Sequence, residues 1–204
     1  MQDNVRAPAQ LILASTSPSR RALLNNARLD FSSIRPHVDE RAVETPYVKT
    51  GASPEFLAGL LSRAKALDVA NRIPGVYVIG GDQVMAFEGA AYSKPESRHE
   101  AKAHLSRLSG KTHYLHSAFA IARDDVVLFE DCQTAKLTMR TLSEPEIEAY
   151  LSRISDEALF SSGVYQLEGL GVQLFSKIEG DYFTILGMPM LSLLSALRTL
   201  GVRP

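Results

Sequence analysis

Most features that would assign this chain to a specialised class are missing. It has a single cysteine, Cys132, no tryptophan, and a formal net charge of -1 over 204 residues. One cysteine excludes an internal disulfide framework and the paired-cysteine zinc patterns, and Cys132 reads as a passive strand residue rather than a nucleophile. Near-neutral charge gives no footprint for nucleic acid or an anionic membrane, so any recognition of phosphate must be local. No segment approaches the roughly 18 continuous apolar residues of a membrane span. The N-terminus lacks the basic and apolar regions of a secretory signal, which leaves the cytoplasm as the default location. A Walker loop, a dinucleotide fingerprint and a G-x-S-x-G elbow are all absent. The histidines never take metal-ligand spacing: His113 and His116 lie three apart on a predicted strand and face opposite sides. There are no repeats, low-complexity tracts or interdomain linkers.

What remains is an ordinary globular composition, 45% hydrophobic and 22% charged, organised around one stretch near its start. Residues 1–9 are polar and read as loose. Leu11-Ile12-Leu13-Ala14 is a short buried strand that stops at Ser15-Thr16-Ser17 and turns into a helix over 18–28. Ser17 stands where an N-cap belongs, and Pro18 stands at the first helical position, where its missing N–H costs nothing. A helix N-terminus offers free N–H groups and the positive end of the dipole to an anion. Arg20 and Arg21 carry the wrong charge for helix stability there, but the right charge for charge-assisted phosphate contacts.

Further along, Phe31 to Ile34 is predicted extended, and the acidic pair Asp39-Glu40 precedes a predicted loop rich in Thr, Pro and Gly. Ser53-Pro54-Glu55 opens a helix whose Leu57, Leu60, Leu61, Ala64 and Leu67 form one apolar stripe, with Lys65 beside its edge. Val76 to Ile79 is a strand buried on both faces. It ends in Gly80-Gly81-Asp82-Gln83, where two glycines free the backbone before a lone carboxylate, and a second strand is predicted over Val84 to Phe87. Ser97 with Glu100, and Ser143 with Glu146, have capping-box spacing. Thr112 to Arg123 and Val126 to Arg140 read as an antiparallel hairpin around Asp124-Asp125. A glycine-punctuated region, Ser161 to Gly171, is too irregular for a helix. Val172 to Ile178 and Tyr182 to Leu186 read as a second hairpin, followed by a helix from Pro189. Mixing βα units with hairpins predicts a mixed, partly antiparallel α/β sheet flanked by helices.

Four places share an isolated polar group at a turn or element edge: Ser17 with Arg20 and Arg21, Glu40, Asp82 with Gln83, and Lys94. Brought together, two carboxylates, several cations and a helix N-terminus suit phosphoryl transfer, which rests mostly on positioning and charge neutralisation. Each also has a plainer reading. Asp82 fits a turn residue, Lys65 a snorkelling helix-edge lysine, and Lys94 and Glu40 solvated surface charges. Glu168 lies in an apolar stretch, where an unpaired buried carboxylate is costly.

These blocks also carry a family pattern. Leu13 to Arg21 resembles the N-terminal signature of the Maf family of nucleotide pyrophosphatases. The likeness continues in order through Val38-Asp39-Glu40, Ala64-Lys65-Ala66, Gly81-Asp82-Gln83-Val84, Lys94-Pro95, Leu108-Ser109-Gly110, Tyr165 to Gly171 and Leu186-Gly187-Met188-Pro189. The resemblance implies one pyrophosphatase domain over 1–204, with two lobes around a cleft as in Maf and ITPase-like proteins. It implies hydrolysis of a nucleoside triphosphate to monophosphate and pyrophosphate with a divalent cation, Mg²⁺ or Mn²⁺. Carried over by position, Asp82 matches the catalytic acid/base, and Ser17, Arg20, Glu40, Lys65 and Lys94 match the substrate-binding polar residues. Glu40 and Asp82 are the candidate metal ligands.

Gln83 and Glu168 are similar to the branch of 7-methyl-GTP pyrophosphatases, whereas relatives acting on dTTP and UTP carry Thr and Gln there. A carboxylate at 168 can accept the N1–H and N2–H donors of guanine, and a cationic methylated ring strengthens the pairing. Ser19 departs from that branch, which often carries an aromatic residue at this position to stack on the base. The resemblance also admits a dTTP/UTP pyrophosphatase or a non-catalytic nucleotide-binding regulator of cell division, and a homodimer.

Overall fold

The computed structural model describes residues 11–202; the reading of residues 1–9 as loose lies outside the described residues. Its centre is one seven-stranded mixed sheet. The strands are β1 (Leu11–Ala14), β2 (Ser32–Ser33), β3 (Tyr77–Phe87), β4 (Ala90–Ala91), β5 (Thr112–Arg123), β6 (Val126–Met139) and β7 (Phe175–Glu179). Their spatial order is β2-β1-β3-β5-β6-β7, with β4 folded back on β3. β1 runs parallel to β2 and β3, and every other pair is antiparallel. The helices are α1 (Pro18–Asn26), α2 (Glu40–Val48), α3 (Pro54–Arg72), α4 (Arg98–Leu108), α5 (Glu144–Leu151), α6 (Asp156–Leu159), α7 (Tyr182–Ile185) and α8 (Met190–Thr199). A 3-10 turn spans Leu170–Leu174. No helix among the described residues is long and apolar enough to cross a membrane.

The stripe expected on α3 is rotated: Leu57 and Leu61 are buried, but Leu60, Ala64 and Leu67 are only half-buried, and the core face runs through Ala58, Ser62, Lys65, Ala66, Val69 and Ala70. α3 lays Ala66, Val69 and Ala70 on one face of the sheet against Ile12, Val78 and Ala120. On the other face, Leu23 and Leu24 of α1 meet Leu193 and Leu197 of α8 over Leu13, Ile79 and Ile121. The second half of the sheet has its own apolar centre, where α4 and α5 pack Leu105, Leu108, Ile147 and Leu151 against Met85, Leu115 and Leu137. The mixed sheet flanked by helices is therefore as expected, with apolar centres at its two ends. Each such leucine is worth about 2–5 kcal/mol against truncation to alanine, because the cavity left behind adds to the lost burial.

Three further local expectations are corrected. β3 is one continuous strand of 11 residues, not two strands around a glycine turn. Gly80 and Gly81 have ordinary strand conformation, and it is space that requires them. A Cβ on Gly80 would stand 2.1 Å from the Ser62 carbonyl oxygen of α3, and one on Gly81 would meet Met188 and the Arg20 side chain at 2.9 and 3.2 Å. The segment after Asp39 is helix, not loop, because the Asp39 carboxylate accepts the Ala42 N–H at 3.1 Å as an N-cap. Finally, Tyr182–Ile185 is a turn of helix rather than a hairpin strand, capped by Asp181, whose side chain accepts the Thr184 N–H at 2.9 Å.

One feature of the topology creates a crevice. Ala14 is the last residue of β1 and pairs with Gly80, but β3 runs on to Phe87. β3 thus loses its parallel neighbour at Gly81, just where the chain leaves the sheet through Ser15-Thr16-Ser17 into α1. Open α/β sheets bind ligands at such gaps beyond a strand's carboxyl end.

Candidate active site

Asp82 is the first residue beyond the gap whose side chain returns to the α3 face of β3. It is buried, 7% exposed, and its Oδ1 accepts from Lys65 Nζ at 2.6 Å. The same ammonium lies 2.7 Å from Glu40 Oε1. Lys65 therefore does not snorkel: it is itself 7% exposed and bridges a buried and a solvent-facing carboxylate. Its place on α3 among Leu61, Ala66 and Val69 leaves these carboxylates as its ion-pair partners. Two charges taken from water in this way hold only while paired, and removing one partner costs about 3–5 kcal/mol.

Arg20 approaches from the opposite side. Ser17 caps α1, its hydroxyl accepting the Arg20 N–H at 3.4 Å. The Arg20 side chain then lies over Gly81, its Nε donating to the Gly187 carbonyl at 2.8 Å and its other arm reaching Ser15 Oγ at 3.4 Å. Burial lowers the Arg20 pKa from the ordinary arginine value, opposed by the fields of Asp82 and Glu40. Those fields also reach Glu44 of α2, whose carboxyl is raised first by burial and then by Glu40 and Asp82. The crevice thus gathers Arg20, Lys65, Glu40, Asp82 and the start of α1. Arg21 is exposed on the outer side of that turn.

Lys94 is not drawn in: it is exposed after β4 and makes no ion pair among the described residues. Gln83 points to the face opposite Asp82, where its amide nitrogen donates to Ser117 Oγ and to the carbonyls of Thr184 and Ile185.

Glu168 and Ser19 meet elsewhere. The Ser19 hydroxyl donates to Glu168 Oε1 at 3.4 Å, and both border a mostly apolar cavity of about 370 Å³ between α1, α7 and α8. Tyr182, Phe183, Leu186 and Leu191 form its far wall. Glu168 is exposed rather than buried in an apolar stretch, so desolvation exacts no cost from it. The loop that presents it is firmly held. Tyr150 donates to the Val164 carbonyl at 2.9 Å, Ser161 Oγ bonds both the carbonyl and N–H of Tyr165, and the Tyr165 hydroxyl pairs with His113 Nε2 at 2.7 Å. Val164 is held at φ 58, a conformation that a β-branched residue adopts only under constraint. His113, Tyr165, Ser117, Thr184 and Gly187 escaped sequence reasoning. Only Tyr165 and Gly187 lie within blocks that the family pattern marks.

The described residues form a mixed α/β protein in which a capped helix start and a buried lysine between two carboxylates stand at the crevice beside β3. The sequence profile of the Maf-like protein family matches residues 10–200, and the chain belongs to that family. A 7-methyl-GTP pyrophosphatase of Rhizobium etli is 54% identical over 192 residues, covering 94% of this chain and 96% of its own length. Another protein of that name, from Brucella abortus, is 48% identical over 93% of this chain and 95% of its own. A nucleoside triphosphate pyrophosphatase of Nitrobacter hamburgensis is 50% identical over 97% and 96%. Among solved structures, a HAM1 protein from Coxiella burnetii overlaps 64% of this chain and 73% of its own, at TM-score 0.39 and 15% identity.

Proposed function

We propose that this chain hydrolyses a nucleoside triphosphate, 7-methyl-GTP foremost, to the monophosphate and pyrophosphate. The observation that carries the reading is the Lys65 ammonium held within 2.7 Å of both Asp82 and Glu40, beside Arg20 and the start of α1. The names of the relatives agree with it.

The N–H groups of the first turn of α1, with Ser17 and Arg20, receive the triphosphate. The guanidinium is pre-aimed by the Gly187 carbonyl, so little freedom is lost when phosphate binds. Lys65 stabilises the negative charge that grows on the phosphate oxygens. Asp82 takes a proton from the attacking water as its oxygen bonds to the α-phosphorus, and the bond from that phosphorus to the bridging oxygen breaks. The electron pair leaves with pyrophosphate. Lys94, exposed after β4, is assigned to the outer phosphates on the family pattern alone.

The carboxylates fit a divalent cation only in part. Among the described residues no group of three or more His, Cys, Asp and Glu side chains is arranged to hold a metal. Glu40 and Asp82 are two carboxylates on one edge of the crevice, and Mg²⁺ commonly takes one or two carboxylates with phosphate oxygens completing its shell. Bound there with substrate, Mg²⁺ or Mn²⁺ would neutralise phosphate charge.

At the other end, Glu168 accepts the two N–H donors on the guanine edge, and the cavity beside it gives the ring an apolar bed. Uracil and thymine offer one N–H and leave the carboxylate poorly matched. The test is pyrophosphate release by the purified protein with Mg²⁺ from 7-methyl-GTP, GTP, UTP and dTTP. The highest kcat/KM is expected with 7-methyl-GTP. Preference for UTP or dTTP overturns the role of Glu168, and nucleotide binding with no release from any of them overturns the enzymatic reading.

A further inference from the structure

Gln83 stands next to Asp82 in the chain but faces the other side of the sheet, where its amide meets a strand hydroxyl and two backbone carbonyls. Its amide nitrogen lies 2.8 Å from Ser117 Oγ, 3.1 Å from the Thr184 carbonyl and 3.0 Å from the Ile185 carbonyl. Three oxygens around one nitrogen fix the amide orientation, because a flipped amide would set its oxygen against two carbonyls. Ser117 is Gln83's cross-strand partner on β5 and is fully buried. Its hydroxyl accepts from Gln83 and donates to the Thr184 carbonyl at 2.6 Å.

These carbonyls end α7, a helix of four residues. One helical turn has no stability of its own in water, and its terminal carbonyls need partners from outside the helix. The N–H groups of Leu186, Met188 and Gly187 in the turn that follows meet the carbonyls of Tyr182, Phe183 and Thr184. Gln83 and Ser117 add donors from the sheet to Thr184, and Gln83 supplies the one to Ile185, while Asp181 caps the other end and the Thr184 hydroxyl is 3.3 Å from Gln133 Oε1. The position of α7 is therefore set from the sheet. Two parts of the site hang from it. Tyr182, Phe183 and Leu186 form the wall of the cavity beside Glu168. The turn that follows, with Gly187 at φ 96, points its carbonyl at Arg20 Nε.

We infer that Gln83 and Ser117 are positioning residues that set substrate affinity and base choice without touching the substrate, by clamping α7 so that its side chains shape the base cavity and its following turn aims Arg20. The inference rests on the proposed pyrophosphatase reading. It changes the meaning of Gln83: the residue that follows Asp82 selects the base through the opposite face of the sheet.

The experiment measures kcat and KM for 7-methyl-GTP and UTP in the wild type, Gln83→Glu, Ser117→Ala and the double variant, with thermal melting as a check on folding. Gln83→Glu keeps the size but removes both donors, and Ser117→Ala removes the buried hydroxyl. KM for 7-methyl-GTP is expected to rise tenfold or more in both single variants, with a fall in the 7-methyl-GTP to UTP ratio of kcat/KM. The double variant is expected to be little worse than Gln83→Glu, since the two side chains act as one clamp. Wild-type KM and ratio in Ser117→Ala would overturn the inference, as would a fall in kcat alone. Ser117→Cys, which keeps the volume and weakens both hydrogen bonds, replaces the alanine variant if that does not fold. A wild type that releases no pyrophosphate from either nucleotide would instead defeat the underlying pyrophosphatase reading.

Discussion

The two ends of the site are built by different means. At the crevice, charge is buried and paired: Lys65 and Asp82 are each 7% exposed and 2.6 Å apart, on a long helix and a central strand. At the cavity, Glu168 is exposed, bonded among the described residues only at 3.4 Å to Ser19, and carried on a loop beside α1, α7 and α8. On the proposed function, the first end, costly to build, suits a chemical step shared by every substrate. The second end, with its shape and a single exposed carboxylate, suits a choice among bases. A catalytic constellation is held best on helices and strands, whereas binding selectivity can be revised in loops.

The comparison breaks most visibly at Asp82. Asp82→Asn removes the proposed proton acceptor but keeps the volume, and a loss of roughly 10²–10⁴-fold in kcat is expected from pyrophosphate release assays. Lys65→Met comes next. It strands the buried Asp82 carboxylate without its ion-pair partner, so chemical denaturation should report a loss of about 3 kcal/mol, together with impaired turnover on every nucleotide. At the cavity end the expected effects are smaller and selective. Glu168→Gln should lower kcat/KM for 7-methyl-GTP by roughly 10–100-fold, in line with losing hydrogen bonds to a charged group. It should spare protein stability, because the side chain is exposed.

The last effect falls on stability alone and concerns the scaffold of the Glu168 loop. Burial lowers the pKa of His113 from the ordinary 6.5 to about 4. Between those values the unfolded chain binds a proton that the folded chain refuses. Stability is therefore full above about pH 6.5 and falls as pH drops toward 4, by a total of about 3 kcal/mol. Denaturation profiles over that range should show the slope in the wild type and a flatter line in His113→Gln, which retains a polar partner for Tyr165.

Much of this arrangement was legible in the sequence, and the omissions have physical causes. Ser53, Ser97 and Ser143 announce their helices, and the long hairpin of β5 and β6 follows from alternation and Asp124-Asp125. Ser17 is visible as an N-cap and Arg20 as a charge out of place at a helix start, whereas Lys65 and Asp82 read locally as a helix-edge lysine and a turn residue and stand out only through the family pattern. α2 was obscure because none of its residues is buried, so no stripe marks it, and Pro46 inside it resembles a breaker. α7 is too short for any period, and Tyr182 to Leu186 has strand-like composition. Gly80-Gly81 looked like a turn because local pattern cannot show that Ser62 of α3 or Arg20 of α1 needs the space. The face to which Gln83 points is likewise a tertiary fact, since it depends on β3 running straight through the glycines.

The most direct measurement compares 7-methyl-GTP with UTP in Asp82→Asn and Glu168→Gln, using kcat/KM for pyrophosphate release with Mg²⁺. If chemistry and choice are divided between the two ends, Asp82→Asn depresses both substrates and leaves their ratio at the wild-type value, while Glu168→Gln lowers the ratio by tenfold or more. A shifted ratio in Asp82→Asn, or equal losses on both substrates in Glu168→Gln, would contradict that division.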